Sequence, residues 1–183
     1  MFTFSIDTQT ELRLLETRHA PELFKLTDQS RQHIREWLPW VDMINSPADS
    51  GKFIDLALEQ FRQNNGFQAG IWYRGELAGI IGLHQISWTN KSTTFGYWLG
   101  EQFQGQGLMT AACRAIIAYC FEELHLNRVE IRAAAENKKS QAIPERLGFT
   151  KEGRLRQAEW LHDRFADHYV YSLLKDEFRS ASS

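Results

Sequence analysis

The chain has 183 residues, 43% of them hydrophobic and 24% charged, with a formal net charge of −2. That length suits one domain, residues 1–183, able to bury a core, and the fractions are ordinary globular values. A balance this near neutral supplies no basic field for nucleic acid or an anionic membrane, and no apolar run reaches transmembrane length.

The start, Met1-Phe2-Thr3-Phe4-Ser5, lacks the basic and apolar regions of a secretory leader. Alternation in Glu11-Leu12-Arg13-Leu14-Leu15 predicts a first strand, and Pro21 opens a helix running to about Gln29. A second helical piece, Arg31 to Trp37, must stop before Pro39, because a residue preceding proline is pushed out of the helical region. Ser46-Pro47-Ala48-Asp49 supplies a cap, a proline at the first helical position and an acid in the first turn. Ile54, Leu58 and Phe61 then keep helical spacing until Asn64-Asn65-Gly66. Strands follow over 67–73 and 77–86, joined by the tight pair Arg74-Gly75. Beyond them lie a strand over 93–99, a helix over 108–124, a strand over 128–134 and a helix over 138–147. Strands over 150–158 and 165–174 close the pattern, and the polar residues 179–183 read as a tail that frays. The fold expected is α/β (α+β with a mixed sheet), a three-layer domain with helices on both sides. Cys113 and Cys120 share the 108–124 helix about 10.5 Å apart at 1.5 Å rise per residue, beyond disulfide reach. Two reduced core cysteines suit a cytoplasmic protein.

The segment from Thr94 to Ala112 reads as a strand, a glycine-rich turn and the opening of an alanine-rich helix. Such a junction aims unpaired amides and the positive end of a helix dipole at one point, where a phosphate binds. Gly105 and Gly107 let backbone approach that phosphate without a Cβ. No lysine follows Gly107, which excludes a nucleotide-triphosphate P-loop, and Thr110 stands where a dinucleotide fingerprint needs its third glycine.

What remains is Gln102-x-x-Gly105-x-Gly107, which resembles the pyrophosphate loop of the GNAT superfamily of N-acetyltransferases. Asn137-Lys138-Lys139-Ser140 and Glu145-Arg146-Leu147-Gly148-Phe149 resemble the second acetyl-CoA segment of that family. Trp37-Leu38-Pro39-Trp40, Gly96-Tyr97-Trp98-Leu99 and Gln157-Ala158-Glu159-Trp160 are similar to its RimJ/RimL branch, which acetylates the N-termini of ribosomal proteins. The resemblance implies a mostly antiparallel sheet whose strands 93–99 and 128–134 splay apart to admit the pantetheine arm as an added strand. It implies acetyl-CoA as co-substrate, with backbone groups of Trp98, Leu99 and Gly100 on the arm. Gln102, Gln104, Gly105, Gly107 and Leu108 would hold the pyrophosphate, and Asn137 would bond the pantetheine amide. Self-association into a homo-oligomer is a further implication.

Acetyl transfer to an amine needs the amine deprotonated, the thioester carbonyl polarised and the departing thiolate stabilised. A backbone N–H at Leu99 or Gly100 serves the carbonyl. The resemblance makes Glu159 the base, in an apolar flank of Ala158 and Trp160; otherwise it is a surface carboxylate. Many family members carry a tyrosine where this chain has Pro144, which cannot donate a proton. Ser140 would take that place by hydrogen bonding to sulfur, or it is simply a helix cap. Trp37, Trp40 and Trp160 either wall an acceptor groove or belong to the core. His84 reads as a packed strand residue, and Glu101 would repel an anionic ligand. The six histidines and two cysteines show no metal-ligand spacing. The acceptor implied is the α-amino group of a ribosomal protein. A small amine (polyamine, aminoglycoside or amino acid) and a CoA-binding sensor without turnover are the alternatives.

Overall fold

In a computed structural model, which describes residues 3–181, eight strands join in one sheet. They are β1 (Thr3–Ser5), β2 (Thr10–Leu14), β3 (Phe67–Tyr73), β4 (Glu76–Ser87), β5 (Ser92–Leu99), β6 (Arg128–Ala134), β7 (Thr150–Leu161) and β8 (Arg164–Leu174), in the order β1-β2-β3-β4-β5-β6-β8-β7. Every neighbouring pair is antiparallel except β5–β6. The β3–β4 connection is the two-residue turn Arg74-Gly75, both at positive φ (53° and 82°), the backbone sign that matches the twist of a tight hairpin.

Helices α1 (Ala20–Gln29), α2 (Arg31–Arg35) and α3 (Pro47–Arg62) precede β3, α4 (Leu108–Glu122) and α5 (Lys138–Arg146) flank β6, and α6 (Lys175–Ala181) follows β8. The cap of α3 is as the sequence suggests: the Asp49 amide donates to Ser46 Oγ at 3.4 Å, and Pro47 occupies the first turn. Alternation along the strands feeds two clusters on opposite faces. Trp72 and Ile80 meet Leu23 and Leu26 of α1 and Ile54 of α3. Ile71 and Ile81 meet Ala112, Ile116, Ile117 and Phe121 of α4. Each such large apolar side chain contributes about 1.5–3 kcal/mol of transfer free energy. The result is the three-layer arrangement expected. Among the described residues no helix is long and apolar enough to cross a membrane.

One feature of the sheet positions everything else. The parallel β5–β6 register runs only through Ser92↔Arg128, Thr93↔Val129 and Thr94↔Glu130. Beyond it, Phe95–Leu99 stay paired to β4 and Ile131–Ala134 to β8, so the two strands diverge into a V.

Among the strands and α-helices, two escape the sequence pattern and a third runs longer than expected. Strand β1 consists of exposed residues with no apolar period. The polar α6 takes in residues 179–181 of the expected tail, while Ser182 and Ser183 lie outside the described residues, as do Met1 and Phe2. Strand β7 runs on to Leu161, so Glu159 and Trp160 lie within it.

Candidate active site

Strand β5 ends at Leu99, a single 3₁₀ turn covers Glu101–Phe103, and α4 begins at Leu108. Phe103 and Leu108 are buried against the α1 cluster, which pins both ends of the turn and leaves the residues between them at the surface. Gly105 and Gly107 hold φ of 74° and 76°, a region glycine enters without strain. A Cβ at either would meet no atom within 4 Å, so the space over both is open. Gly107 is the N-cap of α4 and no side chain caps it. The first bond to close is Ala111 N–H to the Gly107 carbonyl at 3.1 Å, so the first-turn amides look outward. They border a cavity of about 1040 Å³ whose wall also carries Arg114, Lys139 and Arg146. The Gln104 carboxamide bridges this wall, contacting the His33 ring and accepting from Lys139 Nζ at 3.3 Å. Gln102 lies outside the lining, its carbonyl accepting from Gln106 Nε2 at 3.3 Å.

Backbone parity decides which groups of β5 face the V. The Gly100 amide donates to the Ala78 carbonyl at 2.9 Å, and hydrogen-bonded pairs alternate along an antiparallel ladder. With Gly79↔Leu99 and Ile80↔Trp98 in register, Trp98 therefore points its N–H and C=O at β4, whereas Leu99 and Tyr97 point theirs into the V. This corrects the expectation that Trp98, Leu99 and Gly100 together offer backbone to a ligand. The amides of Trp98 and Gly100 serve the sheet, and Leu99 is left with Tyr97.

Helix α5 closes the other side. Asn137 is its N-cap, Oδ1 accepting from the Ser140 amide at 3.0 Å, so Ser140 is not the cap. The serine hydroxyl has no hydrogen bond among the described residues. Pro144 sits inside α5, where its missing N–H strands the carbonyl of Ser140 four residues back. The Tyr97 hydroxyl fills that place, donating to Ser140 O at 3.1 Å.

A second cavity, of about 950 Å³, opens on the α1/α3 side of the sheet. Trp37, Trp40, Trp98 and Phe53 wall it, with Trp40 and Trp98 ring centroids 6.0 Å apart. His84, Asp49, Glu159 and His168 are among its polar groups, as are Lys52 and Arg132. Glu159 Oε2 lies 2.9 Å from His168 Nε2, a partner that sequence reasoning missed because one histidine in a strand carries no local signal. Trp160 lines neither cavity; it is 53% exposed and packs edge-on against Phe165 at 4.8 Å. Trp37, Leu38, Tyr97, Trp98, Asn137 and Ser140 line both cavities, so the two chambers adjoin at the V. Among the described residues no cluster of His, Cys, Asp or Glu has the makings of a metal site.

The splayed mixed sheet with an uncapped glycine turn at its V is the arrangement that the resemblance to the acetyltransferases implies. Residues 9–150 match the model of the acetyltransferase (GNAT) domain, and the chain belongs to the GNAT acetyltransferase family. It is 39% identical over 182 residues to YdaF of Bacillus subtilis (strain 168), which carries a provisional ribosomal N-acetyltransferase name, covering 97% of this chain and 98% of that protein. Among solved structures it is similar to RimL, a ribosomal L7/L12 alpha-N-protein acetyltransferase in complex with coenzyme A. That match has a TM-score of 0.92 and 27% identity, covering 96% of this chain and 99% of the other. The microcin C7 self-immunity acetyltransferase MccE, in complex with acetyl-CoA and AMP, matches with a TM-score of 0.89 and 30% identity, covering 92% and 94%.

Proposed function

We propose that this acetyltransferase takes acetyl from acetyl-CoA and delivers it to the N-terminal α-amino group of a protein, a ribosomal protein being the first to test. The observation that carries this reading is the meeting of two cavities at the V, with Ser140 on their shared wall and Glu159 on one side. The CoA and acetyl-CoA complexes of RimL and MccE support the choice of donor.

The residues present fit that donor. The uncapped amides of the glycine turn and α4 suit a diphosphate, and Arg114, Lys139 and Arg146 complement the remaining negative charge. Leu99 and Tyr97 present strand backbone to an extended amide-bearing arm. Asn137 Oδ1 is committed to the helix cap, which leaves its Nδ2 to donate. When bound, acetyl-CoA supplies a thioester acetyl group and a thiolate leaving group. The Leu99 amide stands to polarise the carbonyl, and the Ser140 hydroxyl stands to hydrogen-bond sulfur. Glu159 removes the proton of an incoming ammonium, in a cavity whose wall also carries the aromatic rings of Trp37, Trp40, Phe53 and Trp98.

Cavity chemistry favours a peptide over a polyamine. Asp49 and Glu159 are the carboxylates of its lining, and Asp49 is already held by Lys52 at 3.1 Å and by Ser46 at 2.8 Å. Met43 and Leu56, 70% and 72% exposed, add apolar surface to the same wall. The test is the rate of CoA release with acetyl-CoA and peptides copying ribosomal N-termini, the same peptides blocked at the α-amino group, and spermidine. Turnover confined to free α-amino peptides is expected. Turnover with spermidine alone would replace this acceptor class with a small amine.

A further inference from the structure

We infer that His168 is a positioning residue that holds Glu159 in the acceptor cavity, an inference that rests on the reading of Glu159 as the base. Strands β7 and β8 slip by one residue at Glu152, pair in step from Gly153↔Val170 through Leu155↔His168, and resume pairing at Glu159↔Ala166. Arg156, Gln157 and Ala158 thus stand opposite Asp167 alone. An unbroken register would pair Glu159 with Arg164, two positions further along the hairpin, about 7 Å away at 3.4 Å per residue. The bulge draws Glu159 back toward the end of β6, where His168 pairs with Ala134 at the mouth of the V.

Asp167 fixes the bulge. Its Oδ1 accepts from the Gln157 amide at 2.6 Å, its Oδ2 accepts from Arg154 Nε at 2.6 Å, and Gln157 takes a φ of 51° to make the turn. The main-chain carbonyl of Asp167 also accepts from the Ala135 amide at 2.8 Å, which ties the bulge to β6. Backbone placement alone leaves a glutamate several rotamers. His168 selects one: its Nε2 meets Glu159 Oε2 at 2.9 Å, both side chains lie in the cavity wall, and they sit diagonally across the same sheet face. With one oxygen so engaged, the other is left to take the acceptor's proton.

The experiment is a double-variant cycle of kcat and KM, using acetyl-CoA and a short synthetic peptide with a free α-amino group. His168→Ala should lower kcat roughly tenfold or more with KM for acetyl-CoA unchanged. His168→Gln, whose carboxamide N–H still reaches a carboxylate, should recover most of that loss and serves where the alanine variant folds poorly. His168→Ala added to Glu159→Gln should lower kcat no further than Glu159→Gln alone. Full activity in His168→Ala beside an impaired Glu159→Gln would overturn the inference, as would losses that simply multiply. Full activity in Glu159→Gln would instead remove Glu159 as base.

Discussion

The Tyr97 hydroxyl donates to the main-chain carbonyl of Ser140 at 3.1 Å, the carbonyl that Pro144 cannot serve. A proline inside α5 is thereby tolerated, and the bond clamps β5 to α5 across the V. Tyr97→Phe leaves that part-buried acceptor unpaired and is expected to cost about 1–2 kcal/mol in chemical denaturation. In a Pro144→Ala background, where a helical N–H is available again, the same change should cost markedly less. An equal loss in both backgrounds would show that the tyrosine does not compensate for the proline.

Replacing Glu159 by Gln keeps the shape of the side chain and removes the base. Turnover should fall more than about tenfold, while calorimetry finds unchanged affinity for acetyl-CoA. A variant that turns over normally would take Glu159 out of the chemistry.

Acid should weaken the fold through Glu152. Its carboxylate accepts from Arg128 at 2.6 and 2.7 Å and from Ser172 at 2.7 Å, and the Arg128 bond leads in lowering its pKa from 4.5 to about 2. A folded-state pKa below the unfolded one adds stability that is fully present above the unfolded value and is lost as pH falls through the folded one. Stability should therefore decline between about pH 4.5 and 2, and Glu152→Gln should flatten that decline. Because the group is largely solvated, its share is no more than about 1 kcal/mol. A variant whose acid limb matched the wild type would contradict this.

Both thiols lie on the buried face of α4, and burial pushes Cys113 well up and Cys120 to about 12. A thiol-reactive dye should label neither at neutral pH until denaturant is added. Rapid labelling of the native protein would mean that α4 opens far more readily than its packing implies.

The glycine turn was legible because strand alternation, two glycines and an apolar helix follow one another within a short stretch of chain. Its backbone partners were not: whether Trp98 or Leu99 faces the V depends on the parity of the β4 ladder, which is set where the Gly100 amide meets the carbonyl of Ala78, twenty-two residues before Gly100. Asn137 and Ser140 are both good cap formers, and the choice between them follows from the turn that brings the Asn137 amide onto the Ala134 carbonyl at 2.9 Å. Glu159 was readable through its neighbours Gln157 and Ala158, but its place in the cavity comes from a bulge that Asp167 pins from the opposite strand. Nothing local announces such a pairing. For Trp160, an aromatic next to the candidate base suggested a groove wall, yet strand alternation turns it away from Glu159 toward Phe165.

The most direct measurement is calorimetric titration with acetyl-CoA and desulfo-CoA, on the wild type and on Gly107→Val. A Cβ at Gly107 meets no protein atom, so a loss of affinity would come from the open space over the turn and from the strain of a branched residue at a φ of 76°. Micromolar binding of both ligands by the wild type, weakened at least about tenfold in Gly107→Val with the fold intact by circular dichroism, is the predicted result. No heat of binding from the wild type, or equal affinity in the variant, would contradict the account of the glycine turn as the seat of the donor.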